Sequence, residues 1–189
     1  GFEAGDITMG TMYSILPFDN ALVTLEVSGA ELRQLIDHGI NSPDFRSGQF
    51  YGIKVWYDED AEYKERVTSI RLLDGTPIKD DEMYTVSTLD FIYDGGDKYD
   101  FSKAENVVET YLPVRDLITE AIREMEVIEF EFVENLFVGE DTTVDEPVEE
   151  DGPTLPATGS LGTGAFYGLG ILSLVAGAYV SKKSSKKSA

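Results

Sequence analysis

The sequence predicts an α+β domain, a mixed sheet with packed helices, which is followed by an acidic disordered linker and one C-terminal transmembrane helix. Three observations lead to this prediction. From Gly1 to Val138, short apolar stretches typical of strands alternate with amphipathic helical stretches. Residues 139–154 carry seven acidic side chains and no basic one, and residues 161–180 carry no charge. A chain of 189 residues is therefore expected to build one core with two appendages.

The first strand and the first helix have the clearest patterns. Apolar and polar side chains alternate from Ala21 to Val27, as in a half-buried strand. The helix predicted to follow, residues 28–40, opens with Ser28 and Glu31, whose spacing is that of a capping box.

The remaining elements are shorter. Three further strands are expected, at Phe50–Tyr57, Arg66–Leu73 and Met83–Leu89. The sequence "DGTP" from Asp74 is the predicted turn between the last two of these strands. A second helix is expected to begin at Pro113, because proline suits a first-turn position, and "VIEFEFV" (127–133) is the predicted last strand.

Composition excludes one class of partner. The chain has 15 basic and 36 acidic residues, a formal net charge of −21, which opposes binding to a nucleic-acid polymer. It has no cysteine and hence no disulfide, which fits a cytoplasmic protein or a surface protein built without disulfides. It begins with Gly1 and no signal sequence precedes the domain, so we expect the C-terminal piece of a longer protein.

The C-terminal region has three consecutive parts: "LPATG" (155–159), the uncharged run (161–180) and a basic tail (181–189). Twenty residues suffice for a helix to cross a membrane, with the lysines on the cytoplasmic side. "LPATG" resembles the L-P-x-T-G signal that sortase cuts between threonine and glycine, here Thr158 and Gly159. The resemblance implies sortase and peptidoglycan as partners, a membrane-bound stage before sorting, and covalent anchoring to a Gram-positive cell wall.

Two alternatives stay open for this region. The uncharged run could be a plain membrane anchor. The acidic segment 139–154 is predicted to be an extended, self-repelling tether, although a solvated linker with no role beyond reach would have the same composition.

Catalytic constellations are scarce. The single histidine, His38, lies near the end of the first predicted helix, where a helix-end or surface residue is more common than a base or a ligand. The acidic run 58–62 could attract calcium but lacks the EF-hand spacing, so a solvated loop is favoured. The segment "FIYDGGDKYD" (91–100) fits either a tight turn or the floor of a ligand site, because paired glycines serve both.

Two motifs, "LPFDN" (16–20) and "DFIYDGGDKY" (90–99), together resemble the carboxyl-terminal domain of the 5′-nucleotidase family. That family also includes UDP-sugar hydrolases and 2′,3′-cyclic-nucleotide phosphodiesterases. The similarity is close from Gly1 to Tyr99 and looser to Val133.

The resemblance implies a division of labour between two domains. An amino-terminal metallophosphoesterase domain holds two divalent metals, such as zinc or manganese, and activates water. The carboxyl-terminal domain binds the nucleoside or nucleotide substrate and carries it towards the metals. The family's metal-binding motifs do not occur in this sequence, so the chain is expected to be part of a hydrolase, to contain no cofactor itself, and not to be catalytic alone.

Site residues carry over from the two motifs. Phe18 and Phe91 match the phenylalanines that sandwich the base, where stacking contributes about 1–3 kcal/mol per ring. Asn20 matches a position from which some members hydrogen-bond the base. Without the resemblance, both phenylalanines would be interpreted as core residues.

Asp97 matches the aspartate that accepts hydrogen bonds from the ribose hydroxyls, and Gly95 and Gly96 shape its loop. Lys98 departs from the family, which commonly has glycine there, so that the loop is less tightly wound or gains a cation near the sugar. A non-catalytic surface module that binds a nucleoside or another ligand is the alternative function.

Overall fold

The computed structural model describes residues 4–40, 48–128, 133–143 and 177–182. The helices are α1 (Met9–Ile15), α2 (Gly29–Gly39), α3 (Asp90–Tyr93) and α4 (Val114–Met125), and a 3₁₀ turn spans Gly96–Lys98. The strands are β1 (Ala21–Ser28), β2 (Gln49–Tyr51), β3 (Ile53–Tyr57), β4 (Val67–Leu72), β5 (Met83–Leu89), β6 (Glu105–Pro113), β7 (Leu136–Val138) and β8 (Gly177–Lys182).

The strands form two mixed sheets, whereas the sequence predicted one. The first has the order β2-β8-β5-β1-β6 and the second the order β4-β3-β7. In the first sheet β1 pairs antiparallel with both β5 and β6, while β2 and β8 run parallel. In the second, β3 is antiparallel to β4 and parallel to β7.

The core forms around β1 and α2, the two elements with the clearest sequence patterns. Val23, Leu25 and Val27 point to one face of β1 and are almost completely buried. The apolar face of α2 belongs to the same core, together with side chains of β3, β4 and β5. Each fully buried aliphatic side chain contributes about 1.5–3 kcal/mol to folding, so this alternation fixes which face of β1 is inside.

The predicted capping box of α2 is confirmed. The Glu31 backbone N–H donates to the Ser28 hydroxyl at 3.2 Å, and the Ser28 N–H donates to the Glu31 carboxylate at 3.2 Å. Two N–H groups that the first turn would leave unpaired are thereby satisfied.

Strand pairing after "DGTP" differs from the sequence prediction. The turn forms, with Gly75 at φ +91°, a left-handed conformation that glycine adopts without strain. After the turn, the chain forms only one isolated antiparallel bridge with β4, between Arg71 and Pro77. The next strand, β5, belongs to the first sheet, whereas β4 belongs to the second. The predicted hairpin between β4 and β5 is therefore not formed, because β5 pairs along its whole length with β1 in the first sheet.

Three further differences concern α1, β6 and the end of the domain. The short helix α1 and the edge strand β6 have no strong apolar periodicity, and the sequence did not predict them. The described residues of the segment 127–133, namely 127, 128 and 133, are not in a strand. The last strand before the linker is β7, where the Asn135 carbonyl accepts the Val55 N–H at 2.8 Å and starts the pairing with β3.

The folded part continues beyond the predicted boundary at Val138. The Asp141 side chain is 8% exposed and accepts hydrogen bonds from the Ser69 hydroxyl at 2.8 Å and from Arg71 Nε at 2.5 Å. Burial alone would raise the pKa of Asp141, but hydrogen bonds from Thr143, Arg71 and Ser69 hold that pKa well below its usual range. Residues 139–143 are thus packed on β4 rather than forming the start of a tether.

The C-terminal predictions lie mostly outside the described residues, including the rest of the linker, "LPATG" and residues 161–176. Residues 177–182 are described as β8, which pairs antiparallel with β5. The last four residues of the predicted transmembrane segment are therefore in a strand instead of a helix. Across the described ranges, no helix has the length and apolar character that a membrane span requires.

We expect Asp141→Asn to lower the free energy of unfolding by about 2 kcal/mol at pH 7, because it weakens charge-assisted hydrogen bonds in a buried setting. The folded-state pKa of Asp141 is depressed, so its stabilisation is present above about pH 4, the unfolded value, and is lost as the pH falls towards the folded value. Urea unfolding at a series of pH values measures this difference. The exposed Asp81→Asn is the control, and a difference between Asp141→Asn and the unsubstituted chain that stayed constant down to pH 2 would contradict the assignment.

Candidate functional site

The two predicted base-stacking residues lie at one end of the first sheet. Leu22, near the start of β1, is paired with Leu89, the last residue of β5. Phe18 precedes β1 by three residues, and Phe91 lies two residues after the end of β5. Antiparallel pairing of these strands therefore brings both chain segments to the same end of the sheet. Phe18 is 73% exposed and Phe91 is 51% exposed. Neither is a core residue.

The loop after Phe91 is tightly wound. Gly95, Asp97 and Lys98 have φ angles of +93°, +50° and +61°. This left-handed region suits glycine and is tolerated by aspartate, whereas lysine adopts it rarely. Lys98 thus adopts a backbone conformation that glycine would adopt more readily. The loop is tightly wound even though it has no glycine at position 98.

Gly96 is required for contact between this loop and Phe91. A Cβ atom at residue 96 would lie 2.4 Å from the Phe91 carbonyl oxygen and 2.5 Å from its ring. The absence of a side chain thus lets the loop lie directly against the ring. Of the predicted site residues, Gly96 and Phe91 are in direct contact.

His38, at the end of α2, forms a hydrogen bond to the backbone of the same loop. Its Nε2 donates to the Asp97 carbonyl at 2.7 Å, and its Nδ1 accepts a hydrogen bond from the Tyr63 hydroxyl. The edge of the Tyr99 ring packs on the imidazole, with 4.7 Å between ring centroids. His38 is buried, and these contacts support the helix-end interpretation, with a role in fixing the Asp97 backbone.

Tyr99 closes the loop. Burial, followed by the nearby Asp97 carboxylate and Tyr63, raises the pKa of Tyr99 to about 12. Its hydroxyl therefore remains protonated at physiological pH. The Asp97 side chain itself is exposed, where it can accept hydrogen bonds from a ligand.

The segment that carries Phe18 forms hydrogen bonds with Arg115 of α4. The guanidinium is buried and donates to the Leu16 carbonyl at 2.8 Å and to the Phe18 carbonyl at 3.4 Å. It also forms an ion pair with Asp19 and lies 4.0 Å from the centroid of the Tyr13 ring. Asn20 is half-buried next to this segment, and its backbone carbonyl accepts the Val114 N–H at 2.9 Å.

Arg115 is not among the site residues predicted from the sequence. Its signal was available, because Arg115 lies three and four residues before Ile118 and Thr119, both buried. A cation on the buried stripe of a helix indicates that acceptors lie opposite it.

The candidate site is an open surface. A cavity of about 210 Å³ lies between α2 and residues 98–104, and neither Phe18 nor Phe91 lines it. Within the described part of the chain, no three His, Asp or Glu side chains are grouped so that they could hold a metal ion. The arrangement instead offers flat apolar rings and an exposed carboxylate, which suit an aromatic heterocycle attached to a polyol.

The chain is similar in sequence to proteins of one known family. Residues 1–104 match the family profile described as "5′-nucleotidase, C-terminal domain". The cell wall protein Lmo0130 of Listeria monocytogenes is 31% identical over 110 residues, which cover 57% of this chain and 14% of that protein. The trifunctional nucleotide phosphoesterase protein YfkN of Bacillus subtilis is 25% identical over 133 residues, 66% of this chain and 9% of that protein.

A similar fold occurs in the crystal structure of the 5′-nucleotidase precursor from Thermus thermophilus. The TM-score is 0.61 at 24% sequence identity, over 75% of this chain and 28% of that one. The chain therefore spans a small part of the relatives it matches.

Proposed function

Because the chain belongs to the family of 5′-nucleotidase C-terminal domains, we propose that it binds the nucleoside part of the substrate of a nucleotide phosphohydrolase. The family match covers residues 1–104, more than half of the 189 residues. The observation that carries the proposal is the pair of exposed phenylalanines, Phe18 and Phe91, at one edge of a sheet. Exposed aromatic rings gain free energy when a flat ligand covers them.

In this proposal each predicted residue has a distinct role. Phe18 and Phe91 stack on the two faces of the base, and Asn20 hydrogen-bonds its edge. The exposed Asp97 carboxylate accepts hydrogen bonds from the ribose hydroxyls. Gly95 and Gly96 allow the winding that presents Asp97 beside Phe91.

Hydrolysis belongs to a separate domain. We propose that an N-terminal metallophosphoesterase domain, with two divalent metals such as zinc or manganese, supplies the activated water. This chain then contributes binding and orientation, which accelerate a reaction by holding the phosphoester close to the nucleophile. The small share of each relative that the chain covers supports such a division of labour.

We further propose that the protein is extracellular and is attached covalently to a Gram-positive cell wall through "LPATG" (155–159). The similarity to a cell wall protein of Listeria monocytogenes supports this location. Cleavage between Thr158 and Gly159 would remove β8 and leave β5 with a free edge on that side. The mature domain is then expected to fold without β8, with β1 still pairing the opposite edge of β5.

The stacking proposal predicts that Phe18→Ala and Phe91→Ala each weaken adenosine binding about tenfold, because each removes one stacked ring. Calorimetric or amide-shift titration of the chain with adenosine measures the dissociation constant. Trp56 is a poor reporter because it stacks on Phe137 in the second sheet, with 5.1 Å between centroids. Leu73→Ala removes an exposed apolar side chain away from the site and is the matched control. Unchanged affinity in both phenylalanine variants would exclude the stacking role.

The anchoring proposal predicts a product that ends at Thr158. When the chain is expressed behind a secretion signal in a Gram-positive host, muralytic enzymes rather than detergent should release it. Thr158→Ala should leave the protein in the membrane and soluble in detergent, because the scissile bond is no longer recognised. Detergent extraction of the unsubstituted protein with its lysine tail intact would show an ordinary membrane anchor instead.

A further inference from the structure

We infer that Arg115 is a positioning residue for nucleoside binding, which orients Phe18 towards the base through the backbone of residues 16–19. The inference rests on the proposed function, in that Phe18 is taken to stack on the ligand. It concerns a residue on α4, outside the two motifs that carry the family resemblance.

The contacts of Arg115 converge on one short segment. Its Nη1 donates to the carbonyls of Leu16 and Phe18, at 2.8 and 3.4 Å, and its Nη2 pairs with the Asp19 carboxylate. The ring of Tyr13, in α1, covers the guanidinium at 4.0 Å. A planar, multidentate donor of this kind fixes both the position and the direction of the groups it binds.

The segment depends on such support because of its sequence. It leaves α1 after Leu16, whose N–H bonds the Met12 carbonyl, and is held again at Asn20, whose carbonyl bonds Val114. Between these points Pro17 has no N–H to donate. Arg115 supplies side-chain donors at this point, next to the 73% exposed ring of Phe18.

The stabilising contacts of Arg115 are offset in part by a local cost. Its Nε atom is buried and has no hydrogen-bond partner among the described residues. A buried donor without an acceptor is unfavourable, and an apolar side chain of similar length would remove that cost. Asp19 is 80% exposed, so loss of the arginine would leave no buried, unpaired carboxylate. The arginine is therefore best explained by what it does to the segment that carries Phe18.

The test compares Arg115→Met with Arg123→Met, which removes an exposed arginine from the same helix. We expect Arg115→Met to weaken adenosine binding about tenfold, as loss of one stacked ring would, while the thermal midpoint changes little. Arg123→Met should leave both unchanged. A merely structural role would lower the midpoint and leave the affinity of the folded protein intact.

A double-mutant cycle identifies the route. Because Arg115 acts through Phe18, Arg115→Met should cause no further loss of affinity in a Phe18→Ala chain but should add its full loss in a Phe91→Ala chain. Equal losses in both backgrounds would overturn the inference, as would unchanged affinity in Arg115→Met when the unsubstituted chain binds adenosine.

Amide hydrogen exchange without ligand separates this inference from the proposed function. Arg115→Met should speed exchange at residues 18–20 and leave residues 95–98 unchanged. If the unsubstituted chain binds no adenosine, the proposed function fails and with it the ligand-orienting part of the inference, and exchange still reports whether Arg115 orders the segment. Unchanged exchange at residues 18–20 would overturn the inference whatever the binding result.

Discussion

The antiparallel pairing of β1 with β5 is the constraint on which the rest of the structure depends. It places Leu22 opposite Leu89, so that the segment entering β1 and the segment leaving β5 meet at one edge of the sheet. The register is determined by burial, because Val23, Leu25 and Val27 occupy one face of β1 and a slip of one residue would expose all of them. The core thus determines the relative position of two surface motifs that are about seventy residues apart in the sequence.

Each motif is then held by a buried polar side chain from a helix. His38 of α2 bonds the Asp97 carbonyl, and Arg115 of α4 bonds the carbonyls of Leu16 and Phe18. The exposed elements carry local costs, namely aromatic rings in solvent and left-handed backbone at Asp97 and Lys98. Similar costs occur elsewhere in the described chain, for example at Asn106 and Tyr111, so they accompany the candidate site without defining it.

Sequence reasoning succeeded where the pattern was strong and local. The alternation in β1, the helix α2 and its capping box at Ser28 follow directly from side-chain periodicity and spacing. The edge strand β6 was missed because its exposed face carries no alternation, and the β4–β5 hairpin was expected because a turn sequence does not reveal which sheet the next strand joins. Asp141 looked like one of many solvated acids, since its partners on β4 are distant in sequence.

Only part of the candidate site could be predicted from the sequence. Without the resemblance to a family, Phe18 and Phe91 would be interpreted as core residues, and it was the resemblance that indicated a ligand role, consistent with their exposure. Spacing could indicate that Arg115 lies on the buried face of its helix, but the acceptors of Arg115 and His38 are distant in sequence and follow only from the tertiary structure.

The central claim is that one nucleoside contacts both motifs at once. The most direct measurement is a set of intermolecular nuclear Overhauser effects between adenosine and a chain with labelled phenylalanines. The account predicts contacts from the adenine protons to the rings of both Phe18 and Phe91. Adenosine bound with contacts to only one of these rings, or to neither, would contradict it.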